Sequence, residues 1–440
     1  MKKNVIYILI IGMVLCFQSC NLKDVTEVDK SPVYVTLSMG ANGYQLYCDG
    51  KPYFIKGAGF EGFDPSGVTK NGGNTIRTWR TGDNFITGQQ ILDEAYKNGL
   101  MVCMGIEIGR ERHGFDYDSV ALVEQQFQFA KAEVMKYKDH PALLAWGIGN
   151  ELNLHYSNPK VWDAVNEISL MIHKIDTNHL TTTMLAGAAA DDIRMVTERA
   201  PSFDFLSFQL YGDIVNLPSY INNSGYRGAY VVSEWGATGH WEVGKTTWNQ
   251  PIEQNSHVKA LAYMERYEKV IAIDAFHCIG SFVFLWGQKQ ERTPTWYGMF
   301  LETGEKTESV DVMHYLWTGE WPENRSPQIT SLLINNKTAA ESLSFNANSS
   351  FEAVASASDP DNDVLRYRWE IMPEVPEHQQ SDGGDFELRP TSVFLEDSKA
   401  GIMQIQVPAT PGAYRLFVYI FDDNNSAATA NIPFFVTDDN

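Results

Sequence analysis

The segment Leu144-Ala145-Trp146-Gly147-Ile148-Gly149-Asn150-Glu151 is an apolar run that ends in an amide and a carboxylate. A near-continuous apolar run of this length is typical of a strand buried on both faces of a parallel sheet. The run Ala229-Tyr230-Val231-Val232-Ser233-Glu234 has the same form. The two runs therefore predict strands of an α/β fold, each of which carries a glutamate at its carboxyl end.

Eight runs of strand length precede residue 326, and helix-like segments separate them. Strands that alternate with amphipathic helices predict a parallel sheet covered by helices, and eight repeats in about 270 residues match a (β/α)8 TIM barrel. We assign this barrel to residues 33–325. The runs are Tyr53–Gly59, Asn74–Trp79, Leu100–Ile106, Leu144–Gly149, Leu180–Leu185, Phe205–Leu210, Ala229–Ser233 and Gly280–Trp286. The helix-like segments include Ile86–Lys97, Ser119–Lys138, Lys160–Lys174 and Asn255–Ala272.

An open, doubly wound sheet is the alternative to the barrel. Such a sheet usually carries a glycine-rich phosphate loop after its first strand, and Gly57-Ala58-Gly59-Phe60-Glu61-Gly62 has the matching spacing. The loop should then open a helix, but the next residues are Phe63-Asp64-Pro65. The sequence therefore favours the barrel, without a bound dinucleotide or other cofactor.

Residues 326–440 contain only strand patterns, separated by Asp, Asn, Pro and Gly. Seven short strands in about 110 residues predict an all-β immunoglobulin-like sandwich. We interpret it as a support for the barrel, with glycan binding as the alternative. The segment 359–363 is interpreted as a turn rather than a calcium site, so no metal is expected. The strands are Ile329–Ile334, Ser342–Phe345, Phe351–Ala357, Leu365–Ile371, Gly401–Gln406, Ala413–Asp422 and Thr429–Val436.

The first twenty residues resemble the signal peptide of a bacterial lipoprotein. Lys2 and Lys3 precede an apolar run, and Ser19-Cys20 follows it. In such proteins the cysteine becomes the lipidated first residue, and residues 21–32 would form a tether. This pattern predicts a chain anchored by lipid to the outer membrane of a Gram-negative bacterium, facing either the cell surface or the periplasm. An ordinary secretory signal is the alternative.

The composition narrows the class of partner. The chain of 440 residues has 34 Lys and Arg against 55 Asp and Glu, a net charge of −21 that disfavours nucleic acid. It also contains 11 Trp, 20 Tyr and 23 Phe, which either fill a large core or line a surface that stacks on rings. We expect a monomer that contacts a membrane only through its lipid.

Acidic side chains at strand ends are the candidates for chemistry, because barrel active sites lie at the carboxyl ends of the strands. Glu151 and Glu234 end the two runs quoted above, and Glu107 is the next candidate. Glycoside cleavage needs one protonated carboxyl group and one ionised carboxylate, and a retaining enzyme holds them about 5–5.5 Å apart. The structural alternative is that such a glutamate caps a helix or pairs with an arginine.

Five motifs, taken in order, resemble those of the clan of retaining glycoside hydrolases built on TIM barrels. Trp146-Gly147-Ile148-Gly149-Asn150-Glu151 is similar to the strand-4 motif with the acid/base glutamate, and Val232-Ser233-Glu234-Trp235-Gly236 to the strand-7 motif with the nucleophile. The other three are Asn74-Thr75-Ile76-Arg77-Thr78-Trp79, Phe208-Gln209-Leu210-Tyr211 and Phe284-Leu285-Trp286.

The resemblance implies a role for each matched residue. Glu234 would be the nucleophile, Glu151 the acid/base, and Asn150 a donor to the sugar 2-hydroxyl. Arg77 and Tyr211 would hold Glu234, and Trp286 would form the floor of the −1 subsite. His155 is a candidate hydrogen-bonding group. Candidates for further subsites, with core packing as the alternative, are Trp79, Tyr156, Trp241, Trp248 and Trp296.

Within the clan, the two-domain arrangement resembles glycoside hydrolase family 158. That resemblance implies an endo-β-1,3-glucanase that acts on laminarin-like glucan without a metal or cofactor. The alternatives are another β-glycosidase or a β-glucan transglycosylase of the same clan, and a non-catalytic glycan-binding lipoprotein.

Overall fold

The computed structural model describes residues 31–381 and 385–438. The predicted signal peptide, Cys20 and residues 21–30 of the tether lie outside them. Within those two ranges, no helix is both long and apolar enough to cross a membrane.

A small antiparallel sheet that the sequence did not predict covers one end of the barrel. It consists of β1 (Val35–Gly40), β2 (Gly43–Cys48) and β3 (Lys51–Tyr53). Val35 and Leu46 of this sheet pack in a cluster with barrel residues such as Phe282. The predicted strand Tyr53–Gly59 is therefore divided, since Tyr53 belongs to this sheet.

Eight parallel strands close into the predicted barrel, with β10 beside β9 and β11. The strands are β4 (Ile55–Gly59), β5 (Thr75–Arg77), β6 (Met101–Ile106), β7 (Leu143–Asn150), β8 (Leu180–Ala186), β9 (Leu206–Gln209), β10 (Tyr230–Trp235) and β11 (Cys278–Val283). The helices are α1 (Ser66–Lys70), α2 (Gly88–Lys97), α3 (Val120–Tyr137), α4 (Lys160–Ile175), α5 (Ala190–Arg199), α6 (Leu217–Ser224), α7 (Ser256–Arg266) and α8 (Glu308–Thr318).

Polar residues at the helix starts explain why several predicted helix boundaries agree with the structure. Thr87 forms a capping box with Gln90 at α2, and Ser119 and Asn255 accept backbone N–H groups at α3 and α7. These caps satisfy donors that a helix start otherwise leaves unpaired. Helix α7 ends at Arg266 and continues as a π-helical turn to Ile271, close to the predicted end at Ala272.

The remaining strands form the predicted all-β sandwich of two sheets, of three and five strands. One strand, β16, was not predicted, because its residues are mostly exposed and give no clear apolar alternation. Segment 359–363 forms the expected turn, in which Asp359 accepts from the backbone N–H groups of Asp361 and Asp363. The strands are β12 (Gln328–Ile334), β13 (Ser344–Asn346), β14 (Ser350–Ser358), β15 (Arg366–Pro373), β16 (Val393–Ser398), β17 (Ile402–Gln406), β18 (Gly412–Phe421) and β19 (Ala427–Thr437).

A buried ionic network joins the sandwich to the barrel. Arg415 of β18 contacts Glu374 at 2.9 Å and donates to the carbonyl of Pro251 at 2.9 Å. Glu253 in turn accepts from Lys259 at 2.5 Å and from Asn431 of β19 at 2.6 Å. Buried charges of this kind are tolerated only when paired, so the network favours one fixed placement of the sandwich against the barrel.

Candidate active site

Strands β7 and β10 bring Glu151 and Glu234 to a cleft of about 1010 Å³ at the carboxyl end of the barrel. Glu234 lies within β10, whereas Glu151 follows β7 directly. Gly149 and Glu151 both adopt positive φ, 76° and 52°. Only glycine adopts this conformation without strain, so the fold holds Glu151 in a backbone shape that an isolated chain disfavours.

Glu234 accepts hydrogen bonds from four side chains. Its Oε1 receives Arg77 Nη1 at 2.7 Å, Trp79 Nε1 at 2.8 Å and Gln209 Nε2 at 2.7 Å. Its Oε2 receives the Tyr211 hydroxyl at 3.0 Å. Because Arg77 is cationic and only 1% exposed, the pair is a strong, charge-assisted contact in a dry environment. The carboxylate is thereby held in one orientation.

Glu151 lies in a different environment. Burial, and then the charge of Glu234, raise the pKa of its carboxyl group to about 7, whereas nearby Arg112 acts to lower it. Arg112 donates to the Glu151 backbone carbonyl at 2.7 Å and lies 3.7 Å from its Oε2. Within the described residues that buried Oε2 has no hydrogen-bond partner. A group of this kind can hold a proton near neutral pH and deliver it to a ligand.

Asn150 connects the surroundings of the two glutamates. Its Oδ1 accepts from Arg77 Nη2 at 2.5 Å and from Gln209 Nε2 at 2.7 Å. With the amide oxygen engaged, the amide nitrogen is the donor that a bound ligand can use. Sequence reasoning left the role of Gln209 open, and the structure places its amide between Asn150 and Glu234.

The cleft is lined by most of the predicted substrate-binding side chains. Trp79, His155, Tyr211 and Trp241 all reach it. Trp241 is 56% exposed and meets Tyr211 edge-on, with 5.6 Å between ring centroids. Tyr156, Trp248 and Trp296 do not line it, in keeping with the packing alternative; Trp296 is buried and Trp248 packs on Phe435 of the sandwich.

The structure places Trp286 in the barrel core, so its prediction as a cleft floor is wrong. Its ring is 4% exposed and stacks on Trp317 of α8, with centroids 5.6 Å apart. The reason is the course of the chain: β11 ends at Val283, before the predicted end of the strand, and the following residues leave the sheet. Two residues earlier, Phe284 lines the cleft instead. Its neighbours there are the rings of Trp79, Tyr211 and Tyr297.

This placement predicts that Trp286→Ala affects folding rather than substrate binding. Removing a large buried ring should cost about 3–5 kcal/mol of stability, because a cavity remains next to Trp317. Thermal unfolding should therefore shift to clearly lower temperature, while KM measured well below the transition stays within about twofold of wild type. A large rise in KM with unchanged thermal unfolding would instead indicate that Trp286 contacts the substrate in the cleft.

Sequence reasoning missed three cleft-lining residues that come from the sandwich. Asp385, Phe386 and Glu387 lie between β15 and β16 and reach the barrel mouth. They lie more than 150 residues after Glu234 in the chain, in a segment without a recognisable motif. Only the placement of the sandwich against the barrel shows their proximity.

Comparisons with known proteins agree with the fold. No family model matches the chain. Over 97 residues it is 33% identical to a probable mannan endo-1,4-β-mannosidase C of Aspergillus terreus, a match that covers 19% of this chain and 24% of that protein.

Two solved β-glucuronidase structures also resemble the chain. One is β-glucuronidase 2 of Bacteroides uniformis, with a TM-score of 0.51 at 13% identity over 92% of this chain and 48% of that one. The other is from Ruminococcus gnavus, with a TM-score of 0.51 at 13% identity over 65% of this chain and 53% of that one.

The chain spans about half the length of the two glucuronidases that it matches. At such low identity the likeness concerns the fold, and the resemblance to family 158 stays a prediction from the two-domain arrangement. The fold of this chain is therefore a TIM barrel followed by a β-sandwich, and it resembles the fold of these glycoside hydrolases.

Proposed function

We propose that the protein is a retaining β-glycosidase that cleaves neutral β-glucan by double displacement. The observation that carries this proposal is the pair of glutamates at one cleft in contrasting environments. Glu234 accepts four hydrogen bonds, one of them from a cation, whereas burial raises the pKa of Glu151 to about 7. One carboxylate suited to attack and one carboxyl suited to proton transfer are what this chemistry requires.

In this mechanism Glu234 attacks the anomeric carbon while Glu151 protonates the departing glycosidic oxygen. A covalent glycosyl-enzyme results, and Glu151, now ionised, removes a proton from water that attacks the same carbon. Asn150 donates from its amide nitrogen to the sugar 2-hydroxyl, a hydrogen bond that strengthens in the transition state. Arg77 donates to both Glu234 and Asn150 and thereby fixes the positions of these two side chains relative to each other.

The charges of the cleft support a neutral sugar. Each Lys or Arg that lines it within the described residues is near a carboxylate: Arg80 near Glu61 at 3.3 Å, Arg110 near Asp385 at 3.7 Å, and Lys289 near Glu291 at 2.6 Å. A uronic acid would have to compete for a cation that is already paired. The volume of about 1010 Å³ also lies at the upper end of small-ligand sites, which suits several linked sugar units.

The linkage that we propose is β-1,3, with endo cleavage of laminarin-like glucan. A β-mannan is the second candidate, because part of the chain is similar to a probable mannan endo-1,4-β-mannosidase. Incubation with β-1,3-, β-1,4- and mixed-linkage glucans, mannan and xylan, followed by product chromatography, separates these candidates. Early release of a ladder of oligosaccharides from β-1,3-glucan is the expected result. Binding without new reducing ends on any polymer would contradict the catalytic proposal.

The pH dependence of kcat/KM should follow Glu151. Catalysis needs its protonated form in the free enzyme, so kcat/KM should fall as the pH rises through about 7. Arg112 acts to lower the pKa of Glu151, so Arg112→Gln should raise that pKa and move this alkaline limb to higher pH. The matched control is Arg199→Gln, which removes an arginine paired with Asp163 on the barrel exterior. A limb that stays in place, or moves to lower pH, in Arg112→Gln would contradict the assignment.

A further inference from the structure

The segment of the sandwich that reaches the cleft is attached to the barrel on both sides of Phe386. On one side, Asp385 Oδ2 lies 2.9 Å from His113 Nε2, and Arg110 lies 3.7 Å from the same carboxylate. His113 and Arg110 belong to the loop after β6. Asp385 therefore ties the sandwich to one rim of the barrel mouth.

On the other side, Glu387 is almost fully buried against the loop after β11. It accepts from the Arg292 backbone N–H at 2.6 Å, from Arg292 Nη1 at 2.8 Å and from Gln290 Nε2 at 3.0 Å. Arg292 Nη1 also donates to the carbonyl of Ser381 at 2.7 Å. In the barrel, β6 and β11 are separated by β4 and β5, so residues 385–387 bridge two distant loops.

Phe386 stands between these two attachments and is the least covered large apolar side chain of the described residues, at 86% exposed. Asp385 and Glu387 bind the barrel loops, and Phe386 is among the residues that line the cleft. Single exposed apolar residues are common on proteins. This one differs because two ion-paired neighbours hold its backbone and because its ring lies at the edge of the candidate active site.

We propose that Phe386 forms an outer sugar-binding subsite, in which the sandwich supplies the ring that stacks on a pyranose of a neutral β-glycan. The flat apolar face of an aromatic ring matches the C–H face of such a sugar, and no charge is needed. The inference rests on the proposed function for its ligand class. It replaces the interpretation of the sandwich as a support alone, because the sandwich then contributes directly to substrate binding.

Kinetics on substrates of increasing length test this subsite. In Phe386→Ala, KM for laminarin and for the longer β-1,3-gluco-oligosaccharides should rise about tenfold, which corresponds to about 1.4 kcal/mol. KM for an aryl glycoside of the disaccharide, kcat and thermal unfolding should stay at wild-type values. Phe386→Tyr keeps the ring and should remain within about twofold of wild type. The matched control is Phe85→Ala, since Phe85 is 83% exposed but does not line the cleft.

Failure of the subsite and failure of the proposed function give different results. If the wild-type enzyme cleaves laminarin and Phe386→Ala has the same KM at every chain length, the subsite is wrong and the glycosidase proposal stands. If the wild type cleaves none of the polymers, affinity electrophoresis on laminarin, mannan and xylan gels tests the subsite without catalysis. Retardation of the wild type that Phe386→Ala loses and Phe85→Ala keeps supports it. Equal retardation of all three proteins, or no retardation of the wild type, overturns it.

Discussion

Glu234→Gln should lower kcat on β-glucan by at least about 10⁴-fold, because the amide cannot form the glycosyl-enzyme. The same substitution leaves Arg77 without a charged partner, so a loss of thermal stability should accompany it. Assays are therefore made well below the unfolding transition, with binding of laminarin as evidence of an intact cleft. Glu107→Gln is the matched control, because Glu107 also lines the cleft but belongs to none of the five motifs.

Azide distinguishes a missing nucleophile from general damage. In Glu234→Gly the lost carboxylate leaves room for azide to attack the anomeric carbon of an activated aryl β-glycoside from that side. The product should be a glycosyl azide of inverted configuration. A loss of activity in Glu107→Gln as large as in Glu234→Gln, or a retained configuration in the azide product, would contradict the role of Glu234.

Glu151→Gln should show a loss that depends on the leaving group. On glucan, whose leaving oxygen needs a proton, kcat should fall about 10²–10⁴-fold, the range expected when general acid–base catalysis is removed. A dinitrophenyl glycoside needs no proton to depart, so its first step should stay fast and give a burst. The second step should then be slow, since no base activates water.

The second step of Glu151→Gln can be rescued by azide, which needs no base. Turnover of the dinitrophenyl glycoside should rise, and the glycosyl azide should retain the configuration of the substrate, opposite to that obtained with Glu234→Gly. On this substrate kcat/KM should change little with pH near 7, since departure of dinitrophenolate needs no proton from Glu151. A kcat/KM that falls as far on the dinitrophenyl glycoside as on glucan would exclude Glu151 as the acid/base.

Much of the barrel could be predicted because its strands are local features of the chain. Residues 144–150 are buried on both faces, and the apolar character of this run alone predicts a parallel strand. Helix caps such as Ser119 and Asn255 add boundaries that depend on neighbouring residues only. The small sheet β1–β3 and strand β16 were missed because their half-exposed residues give little apolar pattern.

The residues of the candidate site also divide into those that local sequence predicts and those that only the structure shows. The position of a glutamate directly after an apolar run determines that Glu151 and Glu234 meet at one end of the barrel. The partners of Glu234 depend on side-chain reach across neighbouring strands, and so the contacts of Gln209 and Trp79 emerged only from the structure. The aromatic ring that lines the cleft also differs from the predicted one. The course of the chain after Val283 brings Phe284 to the cleft, not Trp286.

The sequence by itself therefore determined the alternation of strands and helices in the barrel, the all-β second domain and the two carboxylates at strand ends. Those features follow from burial and periodicity along the chain. The tertiary structure alone decided that Trp79 and Gln209 also donate to Glu234, which ring lines the cleft, and that Asp385, Phe386 and Glu387 of the sandwich lie at its mouth. These depend on contacts between segments far apart in sequence, where local patterning carries no information about the partner.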